Sequence, residues 1–364
     1  MSKTTKAFSL LCLCIVVLTF LAANNVPNER PFLAINDSTK VWKVMTSLGK
    51  INTNALDKNQ RSDAIKGQQL IMTGVTTNFK GKKVPHTSHT GKLTCIACHT
   101  LELEHPQPNT LNPQSRLEHG DSLGIPFLPG APFFGLVNRV AFFTNDYQDA
   151  FAHKDRLALQ VGHRDIRKAI QACNTVYGKG RKLEAWEIES ILAFLWTLEL
   201  KMGDLKIPDS LVADIQESIA TNVNNARSVN VMRRYYPEVY PATLAGPIPL
   251  GERKQISPVL NSFSNGQRVY KQSCLYCHAN RKYAHFKMDS QQKTFKLLKK
   301  HFDDTSRYSI YDAIRYSPGS KANRTGTPHY TSQRMSNQQI QDLRFFITQM
   351  ARLGDDAYEY YKNF

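Results

Sequence analysis

Beyond its first 23 residues the chain has no apolar run long enough to cross a bilayer, which excludes a multi-pass helical membrane protein. It is also short of acid. Thirty Asp and Glu stand against 47 Lys and Arg, a formal net charge of +17. Such a surface draws anions: nucleic acid, acidic lipid, acidic protein or small oxyanions. Yet no nucleic-acid-binding motif is present, and the basic residues are spread along the chain rather than gathered in an arm. Nucleic acid is therefore not expected as a partner. Cysteine is scarce too: of seven, two lie in the first 23 residues and five beyond them. What is left is a 364-residue chain, 41% hydrophobic and 21% charged, which is a soluble composition with length for two domains.

The N-terminus bears on compartment. A basic "MSKTTK" precedes the seventeen-residue apolar run "AFSLLCLCIVVLTFLAA", and "NNVPNERP" then turns polar. That is the layout of an export signal cleaved near Ala23; if retained, the same run is a membrane anchor. Cys12 and Cys14 leave with it when it is cleaved. The working part is expected in the periplasm or another extracytoplasmic space, and at a membrane only if the leader is kept.

Four of the remaining five cysteines lie in "CIACH" (95–99) and "CLYCH" (274–278). C-x-x-C-H is the attachment signature of c-type haem. Two thiols three residues apart, on one helical turn, form thioethers to the two vinyl groups of one porphyrin, and the following histidine ligates iron from the proximal side. Cys95, Cys98 and His99, and Cys274, Cys277 and His278, are thus candidates to hold two covalently bound haem c groups. A redox dithiol or half a zinc site is the competing reading of a lone C-x-x-C, and two such motifs with histidine in an exported chain weigh against it.

An internal repeat accompanies the motifs. Each half opens on a short glycine-bearing helix, "SDAIKGQQLIMTG" with Gly67 and "FSNGQRVYKQSC" with Gly266. Each closes on an amphipathic helix, expected over 183–200 and 336–353. Ile188, Ile191, Leu192, Leu195 and Leu198 form one apolar stripe; Ile340, Leu343, Ile347 and Met350 form the other. The pattern resembles the class I cytochrome c fold, in which first and last helices cross at a small residue. The expected architecture is mainly α. It comprises a leader (1–23), an N-terminal extension (24–59), a first cytochrome c domain (60–202), a linker with a helix near 208–230 (203–255) and a second cytochrome c domain (256–364). Two loops of the first domain, "VTTNFKGKKVPHTSHTGKL" and "GIPFLPGAPFFGLVNRVAFF", are expected to wrap its haem and build a pocket.

Class I cytochromes take a sulfur ligand from a loop about ten residues before the last helix. In the first domain that loop, "AIQACNTVYGKGRKLE", has no methionine, but it contains Cys173. Cys173 also shares a helical face with Ile166 and Ile170, so a buried core cysteine is the alternative to a distal iron ligand. For the second haem the candidates are His329, Met335 and Met288, or a site with five ligands only. The other eight histidines are expected on surfaces and loops.

The first domain, over about residues 60–205, resembles the haem domain of thiosulfate dehydrogenases and of the A subunit of SoxAX cytochromes. "KGQQLIMTG…TGKLTCIACH", "GAPFFGLVNR" and "DIRKAIQACNTVYGKGRKL" follow that family's order, with Gly180 and Leu183 spaced as in the family. The resemblance implies that Cys173 is the distal ligand of an active-site haem. The family's Arg-Ser pair, however, falls on Val176 and Tyr177 here, and Thr327 stands where a related C-terminus has its ligating methionine. Lys179 and Arg181 are candidates to replace the missing cation; a solvated basic loop is their plain alternative.

Three functions follow. The first couples electron transfer to a sulfur oxyanion such as thiosulfate or tetrathionate at a His/Cys-ligated haem, two haems serving as two one-electron acceptors. The second is an electron carrier without turnover that feeds another redox complex through a partner protein. The third, most distant, is a dihaem peroxidase-type enzyme.

Overall fold

The computed structural model describes residues 33–105, 112–142, 162–237, 249, 251–253, 260–303, 309–316 and 330–353. The leader, Thr327 and His329 lie outside these residues, as does most of the proline-rich segment before residue 256. The architecture is mainly α, as expected; strand pairing among the described residues is limited to two isolated bridges, Lys40–Lys201 and Thr77–Lys83.

The N-terminal part carries α1 (Val41–Ser47), α2 (Ala64–Thr73), α3 (Pro113–Leu123), α4 (Ile166–Ala172) and α5 (Ala185–Trp196). Local chemistry starts them. Asp63 accepts the backbone N–H groups of Ile65 and Lys66 at 2.9 and 3.1 Å, and Asp165 does the same for α4. Ile191, Leu192 and Leu195 of α5 are buried against Leu70 and Ile71 of α2. Helix α5 is shorter than the expected 183–200. Its tail leaves the helix because other backbone claims it: Leu198 C=O accepts from Gly135 N–H at 2.8 Å and Leu200 C=O from Val41 N–H at 2.9 Å.

The C-terminal part carries α8 (Phe263–Val269), α9 (Gln292–Asp303), α10 (Ile310–Tyr316) and α11 (Asn337–Arg352). Ser336 and Gln339 close a reciprocal capping box at the start of α11. All four residues of its expected stripe, Ile340, Leu343, Ile347 and Met350, are buried. Each first helix crosses its last helix at the glycine singled out above. A Cβ on Gly67 would sit 1.8 Å from the Ser190 carbonyl oxygen, and one on Gly266 would sit 2.0 Å from that of Asp342. Only glycine lets the backbones approach so closely.

Between these parts the expected single helix near 208–230 is two, α6 (Asp209–Thr221) and α7 (Asn225–Arg234). Asn222 and Asn224 break it by taking the left-handed backbone conformation that asparagine tolerates, with φ of +57° and +58°. The pair has a core of its own. Ile215, Ile219, Val229 and Met232 are buried with Val41, Val44, Met45 and Met202, so the N-terminal extension and the first part of the linker cover one another.

Candidate cofactor site

The first motif is a single tight turn. Cys98 and His99 both donate their N–H groups to the Cys95 carbonyl at 3.1 Å, which turns Cys95, Cys98 and His99 toward one side. That side opens on a cavity of about 210 Å³, lined by Cys95, Cys98, His99 and Cys173 together. Its walls are otherwise largely apolar, including Leu70, Phe133, Leu136, Ile166, Leu183 and Ile191. Both loops expected to build a pocket contribute: Thr87 and Leu93 from one, and residues from Pro129 to Phe142 from the other.

His99 is oriented by that second loop. Its Nδ1 lies 2.6 Å from the Ala131 carbonyl oxygen. A carbonyl only accepts, so Nδ1 carries the proton and Nε2 keeps its lone pair. Gly130 makes room for this, since a Cβ there would meet the imidazole at 2.5 Å. Burial holds His99 down to about 4; the Ala131 hydrogen bond works against this, and the charges of Arg334 and Arg139 add to it. The ring is neutral at ordinary pH, as a metal ligand must be.

Cys173 opens a π-helical turn, Cys173–Tyr177, whose wide ring is closed by Gly178 N–H donating to the Cys173 carbonyl at 3.1 Å. Burial pushes its thiol up to about 11, and burial with the nearby Cys173 pushes Cys95 up to about 12. With no metal these thiols stay protonated and inert. Lys179 and Arg181 are not among the described residues lining the cavity. Arg181 is committed elsewhere: its guanidinium grips both carboxylate oxygens of the buried Glu187. Among the described residues the cations that line the cavity are Arg139 and Arg334, neither of them singled out in the sequence.

The second motif repeats the orientation. His278 Nδ1 lies 2.8 Å from the Phe286 carbonyl oxygen, which leaves Nε2 with the lone pair. Cys274, Leu275 and Met288 pack against the same apolar cluster that buries Met335. Met335, 1% exposed, donates its N–H to Thr331 and leads into α11. Of the eight histidines expected on surfaces or loops, His153 lies outside the described residues, and His105 is a loop residue that is buried, 8% exposed, beside Glu104. Among the described residues no three His, Cys, Asp or Glu side chains gather as a bare-ion site. Nor is any described helix long and apolar enough to cross a membrane.

Comparisons with protein-family models, with curated proteins and with solved structures return no match.

Proposed function

We propose that the chain is an exported dihaem c-type cytochrome that transfers electrons. In this reading it is built of two class I cytochrome c domains, the first resembling the haem domain of thiosulfate dehydrogenases and SoxAX A subunits. Cys95 and Cys98 hold one haem and Cys274 and Cys277 the other. His99 and His278 are the proximal ligands through Nε2, and Cys173 is the second ligand of the first iron. The bound groups supply reversible one-electron iron chemistry.

The observation that carries the reading is the matched pair of histidines. In both motifs Nδ1 is tied to a backbone carbonyl, at 2.6 Å and 2.8 Å, so Nε2 is fixed in tautomer and presented as a ligand. The two thiols and Cys173 on one largely apolar cavity add to it, because burial favours a ligand set that excludes water.

Of the finer forms, an electron carrier feeding a redox partner protein is favoured over a sulfur-oxyanion oxidoreductase. An oxyanion needs fixed cations or donors where it reacts. The arginines that line the cavity, Arg139 and Arg334, donate to backbone carbonyls of the stretch that holds His99, and Arg181 is paired with Glu187.

The test is haem content. Matured in a host that attaches c-type haem, the purified chain is expected to give two haems by pyridine haemochrome absorbance and intact mass. The Cys95→Ala/Cys98→Ala variant is expected to give one. A chain with no covalent haem overturns the reading. No turnover with thiosulfate, tetrathionate or peroxide is expected of a carrier; turnover of a sulfur anion would restore the oxidoreductase.

A further inference from the structure

We propose that Arg334, from the C-terminal half, tunes the reduction potential of the first haem by clamping the loop that orients His99 and keeping a buried positive charge beside it. The inference rests on the haem reading above and goes beyond it, since neither motif includes this residue.

The loop is Leu128–Pro129–Gly130–Ala131. Its Gly130 N–H donates to the Cys98 carbonyl at 2.8 Å, and its Ala131 carbonyl holds His99. Arg334 grips the same loop from the other side: Nε and Nη2 donate to the Leu128 carbonyl at 3.2 and 3.0 Å, and Nη2 donates to that of Gly130. A planar guanidinium spanning two carbonyls fixes a loop as a point charge does not. Glu104, five residues beyond His99, pairs with Arg334 at 2.6 Å and with Arg116 at 3.2 Å. Arg116 in turn donates to the Leu128 carbonyl at 3.2 Å and to the carbonyl of Arg334. Arg139 hangs on the next stretch, donating to the Pro132 and Phe134 carbonyls at 2.8 and 3.2 Å.

Charge bookkeeping gives the direction. Three guanidiniums and one carboxylate are buried here, Arg334, Arg116, Arg139 and Glu104 being 4, 6, 7 and 4% exposed. Taking one electron, from an electrode or a reduced partner, lowers the charge at the iron by one with no bond made or broken. Buried cations nearby favour that state, and they are weakly screened. Arg334 is a positioning residue: it reaches the iron only through the loop and its field.

The experiment is spectroelectrochemistry on the dihaem protein with R334Q, R334K and E104Q. R334Q is expected to lower the ferrous-to-ferric ratio of the first haem at fixed potential by about tenfold, a 59 mV shift for one electron. E104Q, which removes the opposing charge, is expected to raise it. R334K, which keeps the charge and loses the two-carbonyl clamp, is expected to fall between the parent and R334Q, and the second haem to hold in all three. A merely structural role lets water in and moves R334Q and E104Q the same way; that result overturns the inference. So does a first haem that moves in neither, or an R334K that falls as far as R334Q. If R334Q does not fold, the sign of the E104Q shift still decides. A parent protein with no redox-active haem sinks the functional reading itself, a failure distinct from these.

Discussion

The hydroxyl of Tyr276 donates to the carbonyl of Ile96 at 2.9 Å, so the interior of one C-x-x-C-H motif is bonded to the interior of the other. Cys277 Sγ lies 3.8 Å from the Ala97 carbonyl beside it. The bonded residues, 180 apart in sequence, make the two motifs neighbours in space. Tyr276→Phe removes this bond and keeps the ring under Lys282, whose ammonium lies 4.5 Å from the ring centre. The expected loss is about 1 kcal/mol for one net hydrogen bond, read from the urea midpoint.

The helix crossings predict a larger effect. A methyl on Gly67 or Gly266 would fall within 2.0 Å of a carbonyl oxygen of the facing helix, and backbone cannot swing aside as a side chain does. Gly67→Ala and Gly266→Ala are each expected to cost about 3 kcal/mol by overpacking. Denaturant unfolding of each variant checks this, and a loss under 1 kcal/mol would mean the helices separate more easily than their packing implies.

Cys173 supplies a spectroscopic prediction. If its sulfur ligates the first iron, the ferric protein has a low-spin thiolate signal in low-temperature EPR that is lost in Cys173→Ala. Ligation would also draw the proton from a thiol that burial pushes up to about 11. Unchanged spectra would return Cys173 to the core beside Ile166 and Ile170.

Glu104 makes stability depend on pH. Burial alone would raise its carboxyl, but Arg334, Arg116 and the Thr100 hydroxyl outweigh burial and leave it below its ordinary 4.5. A carboxylate depressed in the folded state takes its proton first in the unfolded chain. Its contribution is complete above pH 4.5 and is lost as pH falls through the lower folded value. Urea midpoints compared at pH 7 and pH 3 are expected to fall more in the parent than in E104Q, which has nothing left to titrate at that position.

Features with a local cause were readable from the chain. The motifs, the glycines at the crossings and the stripe of α11 all rest on spacings of a few residues, which backbone geometry converts directly into faces and turns. What was not readable joins distant positions through atoms that have no residue identity. The Ala131 and Phe286 carbonyls that orient the histidines belong to backbone, and any residue would present them. Arg334 looks like one more basic residue among 47 until Leu128 and Gly130 are folded against it. The Arg181–Glu187 pair was hidden for the converse reason: Glu187 sits on an apolar helix where an acid reads as solvent-facing, yet it is fully buried. The segment after residue 203 reads as a linker because prolines and glycines follow its helix, and nothing local says what its apolar residues pack against. Their cover comes from α1, some 160 residues earlier.

The loop that holds His99 also has a history in time. The Phe127 carbonyl just before it accepts from Ser273 and Tyr330, and its Gly130 carbonyl waits for a guanidinium 204 residues downstream. At roughly 5–20 residues per second of synthesis, about ten to forty seconds separate the appearance of that loop from its last clamp. The His99 loop therefore emerges well before its latch, and a chain cut short before residue 334 would never acquire it.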